Sequence, residues 1–175
     1  SGGISGGVTL GDGDDSLRNN GLIEDGVVGG LGNDTVNNLG GIFGGVTLGD
    51  GSDSLRNTDF IDGSVDFGTG NDTLNNDGEI TGSVEAGDGD DSLFNRDNGS
   101  IGAGVTGGSG SDTLSNNGLI DGGATLGDGA DSLFNRSAAT LNGGVDGGVG
   151  NDSASNNGLI TGLVNLGDGA DSTFN

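Results

Sequence analysis

The stretch GTGNDTLNNDGEITGSVEA, residues 68–86, recurs in variant form along the whole chain and decides the fold. Its leading glycine opens nine copies, spaced by 19 residues except for two steps of 21. We number the columns of the repeat from one, at Gly68, to nineteen. The two longer steps contain RDNGSI (96–101) and RSAATL (136–141), which we expect to lengthen one and the same loop. Tandem repeats of this length indicate a solenoid, with each copy forming one coil.

The columns of the repeat differ in character, and the contrast predicts the shape of the coil. Columns seven, thirteen and seventeen are mostly Leu, Ile and Val, whereas columns one and three are glycine in all nine copies. Because side chains alternate faces along a strand, we predict short strands near columns 6–8, 12–14 and 16–18, with the middle residue facing inward. Nine coils stacked at about 4.8 Å would give an apolar core roughly 43 Å long. The predicted fold is all-β, a right-handed parallel β-solenoid (β-roll or β-helix) of about nine coils.

The composition excludes several classes of function. The 175 residues carry 4 basic and 27 acidic side chains, and a net charge of −23 would repel nucleic acid and anionic membranes. No apolar run approaches membrane-spanning length, so we expect no membrane insertion. The chain has no Cys, His, Lys or Tyr, and no copy breaks the repeat to build a catalytic site, so we do not expect an enzyme. A divalent cation is the partner that this charge favours.

Column five is aspartate in every copy and is the candidate metal site. Stacked coils would place these carboxylates in a row, which is unfavourable unless cations lie between them. Carboxylates and backbone carbonyls of adjacent coils can supply the roughly six to eight oxygens that Ca²⁺ prefers, whereas transition metals favour His and Cys. The alternative is a turn that is merely capped by an Asx side chain. The predicted side-chain ligands are Asp15, Asp34, Asp53, Asp72, Asp91, Asp112, Asp131, Asp152 and Asp171. The predicted carbonyl ligands lie near the paired glycines Gly11, Gly13, Gly30, Gly32, Gly49, Gly51, Gly68, Gly70, Gly87, Gly89, Gly108, Gly110, Gly127, Gly129, Gly148, Gly150, Gly167 and Gly169.

Column nine is asparagine in every copy. A corner amide that repeats at the spacing of stacked strands can form a ladder, in which each side chain donates to the next coil. A simple turn preference of Asn is the alternative, since several copies continue as NNG. The predicted ladder residues are Asn19, Asn38, Asn57, Asn76, Asn95, Asn116, Asn135, Asn156 and Asn175.

Three copies, GGLGNDTV (29–36), GGSGSDTL (107–114) and GGVGNDSA (147–154), resemble the RTX, or haemolysin-type, calcium repeat GGxGxDxUx. The resemblance implies a calcium turn formed by the glycine-rich half, with Asp and carbonyl ligands, followed by a strand. Six copies depart from the motif, because Leu10, Leu48, Phe67, Ala86, Leu126 or Leu166 replaces its first glycine. An RTX coil has two calcium turns and this one has a single turn, so calcium is expected along one edge, about one ion per gap between coils.

The segment FGTGNDTLNNDGEITGSVE (67–85) also resembles the 19-residue calcium-binding repeats in the ice-binding region of a giant bacterial RTX adhesin. There, columns two and four present rows of Thr and Asx to ice. Here only Thr69 and Asn71 form that pair, so a regular ice-matching array is not predicted. Strings of the NNGLIDGG type are similar to passenger repeats of autotransporter-like surface proteins. These resemblances imply an extracellular location.

Column eight flanks an inward column, so its side chains should point outward. It places Phe94, Phe134 and Phe174 in a spaced row, with Arg96 and Arg136 two residues beyond the first two. The row could make a lateral contact or bind a ligand, since exposed aromatics in line usually have a role. Alternatively, Arg could stack on Phe within the lengthened loops.

We therefore expect a calcium-stabilised stalk or fibre segment of a secreted bacterial surface adhesin. Residues 1–175 would form one uncapped solenoid domain cut from a longer array, with further coils or like chains stacked end to end. Eight calcium ions would take the net charge from −23 to −7. The alternative function is a module that binds ice or another surface through the edge that carries the calcium turns.

Overall fold

The computed structural model describes residues 2–175, which form a parallel β-solenoid with three strands in each coil. The strands make three sheets of nine, and neighbours within a sheet come from successive coils. Pairing keeps the register of the repeat, so that Leu74 lies beside Leu55 and Leu93. The predicted solenoid of about nine coils is therefore confirmed. None of the described residues forms a helix that is long and apolar enough to cross a membrane.

The three sheets correspond to three segments of the repeat. Sheet A holds columns twelve and thirteen, in strands Gly3–Ile4, Leu22–Ile23, Gly41–Ile42, Phe60–Ile61, Glu79–Ile80, Ser100–Ile101, Leu119–Ile120, Thr140–Leu141 and Leu159–Ile160. Sheet B runs from column seventeen to column two, in strands Val8–Asp12, Val27–Leu31, Val46–Asp50, Val65–Thr69, Val84–Asp88, Val105–Ser109, Ala124–Asp128, Val145–Val149 and Val164–Asn165. Sheet C holds columns six to nine, in strands Ser16–Asn19, Thr35–Asn38, Ser54–Asn57, Thr73–Asn76, Ser92–Asn95, Thr113–Asn116, Ser132–Asn135, Ser153–Asn156 and Ser172–Phe174.

The strands of sheet B differ from the prediction. They begin at column seventeen and continue across the repeat boundary to column two, as in Val65–Thr69, whereas a strand over columns 16–18 was expected. Column nineteen therefore lies two residues beyond the inward column seventeen, on the same face. Phe67 and Leu48 are accordingly fully buried. These side chains, which depart from the RTX motif, are core residues that replace a glycine by apolar volume.

The core is one continuous column of side chains along the solenoid axis. A single coil contributes Leu74, Ile80, Val84 and Ala86, all fully buried, and the next coil places the same kinds of residue above them. Burying a side chain of this size contributes about 1.5–3 kcal/mol. Because no coil can bury these residues alone, stacking is what makes the strands stable.

Both two-residue insertions widen the corner between sheets C and A, as predicted. The loop after Asn95 closes on itself, with the Gly99 amide donating to the Arg96 carbonyl at 2.8 Å. The Ala139 amide donates to the Arg136 carbonyl at 3.0 Å in the second loop. Pairing resumes in register at Ile101 and Leu141, so the insertions do not change the stacking of the coils.

Candidate metal centre

Columns three to five form the turn between sheets B and C, which we call the Asp turn. Its column-five side chains point away from solvent in every inner coil. Seven of them are at most 3% exposed: Asp34, Asp53, Asp72, Asp91, Asp112, Asp131 and Asp152. Asp15 is half-buried and Asp171 is exposed, because each lies in a terminal coil. The fold thus brings the predicted side-chain ligands into one buried line along a single edge.

One oxygen of each column-five carboxylate is used by the fold itself. The Asp53 amide donates to Oδ1 of Asp72 at 2.6 Å, and the Asp72 amide donates to Oδ1 of Asp91 at 2.7 Å. The same bond recurs across all eight gaps between coils. These bonds join neighbouring coils, so they are not the local Asx cap that was the alternative to a metal site. They form a ladder that was not predicted from the sequence.

The other carboxylate oxygen, Oδ2, has no hydrogen-bond partner among residues 2–175 in any of the seven buried aspartates. A buried ionised carboxylate is strongly unfavourable unless a positive charge or a set of donors compensates it. Seven equivalent Oδ2 atoms in one line, one per coil, each lack a positive charge or a hydrogen-bond donor. A cation beside each of these oxygens would supply the missing positive charge.

Five column-five carboxyl groups in the middle of the solenoid have raised pKa values, so they hold their protons more tightly than ordinary aspartates. Burial raises the pKa of Asp72 to about 7. The hydrogen bond from the Asp53 amide lowers this pKa, whereas repulsion by the Asp91 and Asp53 carboxylates raises it further. Burial likewise raises the pKa of Asp112 to about 6, with neighbouring carboxylates as a further cause. Burial also raises the pKa values of Asp53, Asp91 and Asp131. A proton and a metal ion are thus alternative ways to neutralise this line.

Backbone carbonyls must supply most of any coordination shell at this edge. No group of three or more acidic side chains that could hold a metal occurs within residues 2–175, so two carboxylates per gap is the most that side chains offer. No backbone amide of the described chain donates to the column-three glycine carbonyls, which leaves them free as ligands. Gly70 shows why this column is glycine: its φ is +130°, and a Cβ there would overlap the Gly51 carbonyl oxygen. An all-oxygen set with few carboxylates suits Ca²⁺.

Column four ties the Asp turns together in the opposite direction. The Asp90 amide donates to Oδ1 of Asn71 at 2.9 Å, and the Ser52 amide donates to Oδ1 of Asn33 at 2.7 Å. Thr69, in column two, donates its hydroxyl to Oδ1 of Asp50 at 3.2 Å. Asn71 and Thr69 are exposed, but both make contacts within the solenoid, and they stand beside each other in one coil alone.

The column-nine asparagines form a continuous side-chain ladder at the corner between sheets C and A. Each Nδ2 donates to Oδ1 in the next coil at 2.8–2.9 Å, from Asn19 through to Asn175. Most also donate to a carbonyl of sheet A, as Asn57 does to Glu79 at 3.2 Å. The inner members are buried with their amides satisfied, so the strict Asn column has a structural explanation.

The outward aromatic row is only partly free. The Arg96 guanidinium carbon lies 5.8 Å from the centre of the Phe94 ring, and that of Arg136 lies 5.2 Å from the centre of the Phe134 ring. This is the stacked arrangement that was one of the two alternatives from the sequence. Phe94 and Phe134 are half-buried, whereas Phe174, in the last coil, is 66% exposed.

Comparison with known proteins supports the fold and leaves the family open. No protein-family model matches the chain, and no curated protein matches it. A solved structure described as a hyperactive, Ca²⁺-dependent, β-helical antifreeze protein from an Antarctic bacterium is similar, with a TM-score of 0.67 and 23% sequence identity. The match covers 97% of this chain and 66% of the other, so this chain spans less than two thirds of that protein. The similarity shows that both chains share a β-helical fold.

Proposed function

We propose that the chain is a non-catalytic solenoid stabilised by calcium bound along the Asp turns. The observation that carries the proposal is the line of seven buried, unpartnered Oδ2 atoms. Calcium dependence of a protein with the same fold supports it. The column-five side chains and the column-three glycine carbonyls would hold the ions, which would supply the positive charge that these oxygens lack.

Calcium binding and folding would be one event. Column-five ligands come from successive coils, so the unfolded chain has no preformed site, and the binding free energy becomes folding free energy. Without a cation, each buried carboxylate must either take up a proton or remain an uncompensated charge. Extracellular modules bind calcium at about 10⁻⁴–10⁻³ M, so a chain of this kind would remain unfolded where calcium is scarce and fold outside the cell.

We further propose that the solenoid acts as a stalk or fibre segment of a secreted bacterial surface adhesin. A stack of nine coils is an extended rod of roughly 43 Å. Its surface is strongly acidic, which keeps such a rod soluble and separate from anionic cell surfaces. These features support the structural role, and the RTX-like and autotransporter-like repeats support the extracellular location.

A calcium titration followed by circular dichroism tests the proposal. The strand signal should be lost in excess chelator and return as calcium is added, whereas magnesium at the same concentration should restore little of it. Metal analysis after dialysis should then find several calcium ions per chain and fewer in an Asp53→Asn/Asp72→Asn/Asp91→Asn variant. Strand content that survives complete calcium removal at neutral pH would refute the proposal.

Ice binding is the second candidate, because the structural relative is an antifreeze protein. The most regular outward hydroxyl row is column six, which is Ser or Thr in every coil and half-buried in the inner ones. Thr73 lies directly beside Ser54 and Ser92 in adjacent coils. If the chain binds ice, Thr73→Val with Thr113→Val should lower thermal hysteresis more than Thr69→Val does. Absence of thermal hysteresis in the calcium-loaded wild-type chain would exclude this candidate.

A further inference from the structure

All four cationic side chains lie on the outward face of sheet C. Arg18 and Arg56 occupy column eight, whereas Arg96 and Arg136 follow two residues later, in the lengthened loops. These two reach back over the Phe94 and Phe134 rings, at 5.8 Å and 5.2 Å. Each guanidinium therefore returns to column eight, and the four charges form one line, which we call the guanidinium line.

The guanidinium line has a period of two coils. Asn37, Asn75 and Ser115 stand in column eight of the coils between the charges, paired in register with Arg56, Phe94 and Phe134. The strand spacing of about 4.8 Å places the column-eight positions of Arg18, Arg56, Phe94 and Phe134 about 9.6 Å apart. The Arg96 guanidinium leans from its own coil to the Asn75 side chain in the preceding one. A groove of 720 Å³ separates the last two, with Ser115, Asn117 and Asn157 among its lining residues.

The guanidinium groups are poorly compensated for a chain with 27 acidic residues. Among residues 2–175, only Arg56 has a carboxylate within 4.0 Å, that of Asp77 at 3.9 Å. Arg18 donates to the Asn20 side chain, and Arg96 donates to the Asn75 side chain. Arg136 makes no side-chain hydrogen bond within the described residues, and its ring contact holds it in place with its donors free.

A second line on the same molecule has the opposite charge and the same period. Column two carries aspartate in every other coil and a neutral residue between, and all five aspartates are exposed: Asp12, Asp50, Asp88, Asp128 and Asp168. Strand pairing places Ser109 between Asp88 and Asp128, so these carboxylates are also about 9.6 Å apart. The Ser109 hydroxyl donates to Oδ1 of Asp88 at 2.7 Å, which orients that carboxylate.

We infer that the guanidinium line binds the column-two carboxylate line of a second copy of this chain lying alongside. Two lines of opposite charge whose column positions both repeat every two coils can pair along their whole length. The partner with this carboxylate spacing is present in the molecule itself. Because the two lines are different surfaces, the contact is heterologous, and each copy has both halves of it free for further copies.

Sedimentation velocity on the calcium-loaded chain tests this inference. Self-association should appear in about 10 mM salt, where the Debye length is about 30 Å, and disappear in about 1 M salt, where it is about 3 Å. Replacing all four arginines by glutamine should weaken association roughly tenfold to a hundredfold, from the loss of several exposed ion pairs. Asp50→Asn/Asp88→Asn/Asp128→Asn should do the same. The matched control is Asp66→Asn/Glu85→Gln/Asp146→Asn, which removes equal charge from column eighteen of sheet B and should not weaken association.

A charge-exchange pair makes the assignment specific. Arg96→Glu/Arg136→Glu and Asp88→Arg/Asp128→Arg should each associate less than the wild type, and a mixture of the two should form a mixed complex. Circular dichroism in calcium verifies that every variant is folded, which separates failure of this inference from failure of calcium-dependent folding. A monomer at low salt, or equal weakening by the column-eighteen control, would overturn the inference. The inference would also be overturned if the wild type stays monomeric and instead binds, through these arginines, to an immobilised polyuronate.

Discussion

Asp72→Asn should change stability in opposite directions with and without calcium. The substitution keeps Oδ1, which accepts the Asp53 amide, and replaces the unpartnered Oδ2 by a neutral amide group. In the metal-free fold it removes a buried charge that is compensated only by the hydrogen bond from the Asp53 amide. In the calcium-loaded fold it removes a charged ligand from the two gaps that flank this coil.

The size of the gain without calcium follows from the raised pKa of Asp72. A rise from 3.8 to about 7 means that at pH 8 the ionised carboxyl group destabilises the folded state by up to about 4 kcal/mol. The new amide nitrogen has its own burial penalty of about 1–3 kcal/mol if it finds no acceptor. The expected net gain in the free energy of unfolding is therefore about 1–3 kcal/mol.

The loss with calcium follows from linkage. An ion present at about 100 times its dissociation constant stabilises the fold by about 2.7 kcal/mol. Asp72 would be a ligand in both of the inter-coil gaps that flank its coil. Weakening both sites should therefore cost about 3–5 kcal/mol.

Two unfolding experiments measure the two signs. In calcium, urea unfolding at pH 8 gives the loss. In chelator, where the wild type is expected to be unfolded, the osmolyte TMAO can drive folding, and the variant should fold at a lower TMAO concentration. Asp66→Asn, an exposed position with the same change of charge, should shift neither midpoint appreciably. A shift of the same sign under both conditions, or none in calcium, would refute the assignment of Oδ2 to a cation.

Three further predictions address the turn, the ladder and the proton. Gly70→Ala should cost about 3 kcal/mol or more in urea unfolding, because its Cβ would overlap the Gly51 carbonyl, whereas Gly13→Ala, with φ of +120° and open space, should cost about 1–2 kcal/mol. Asn76→Ala should cost about 2–3 kcal/mol by the same assay, because it leaves the buried Oδ1 of Asn95 without its donor. Lowering the pH from about 8 to about 6 should raise the calcium concentration at half-folding, measured by circular dichroism, because burial lifts column-five pKa values, one of them to about 7.

These outcomes have clear opposites. Equal losses for the two glycine variants would show that backbone strain alone, and not the packed carbonyl, requires glycine. No greater loss for Asn76→Ala than for the outward Asn37→Ala would show that the ladder contributes little. Without calcium, pH should have the opposite effect on folding. The metal-free fold should be most stable at low pH and lose stability as the pH rises from 3.8 through about 7, because the folded state binds more protons than the unfolded state in this range. Calcium affinity independent of pH would contradict the competition.

Much of the architecture could be predicted because each coil repeats the same local code. Alternation about Leu74, Ile80 and Val84 was enough to place three strands per coil and their inward faces. The burial of column nineteen was not predicted from the sequence, because the RTX motif has glycine where Phe67 and Leu48 stand. The strand that crosses the repeat boundary was not expected there. The period-two pattern from Val65 to Phe67 was the signal that could have identified them.

The sequence alone determined the solenoid, the single acidic edge and the amide corner of this protein, because identical columns must stack when coils pair in register. Only the tertiary structure showed that the two oxygens of each inner column-five carboxylate differ: Oδ1 accepts the amide of the neighbouring coil, whereas Oδ2 is buried without a partner. It also showed that Arg96 and Arg136 return to column eight, which brings four guanidinium groups into one line. Both results depend on where side-chain atoms lie relative to the next coil, and the spacing of residues along a chain does not specify that.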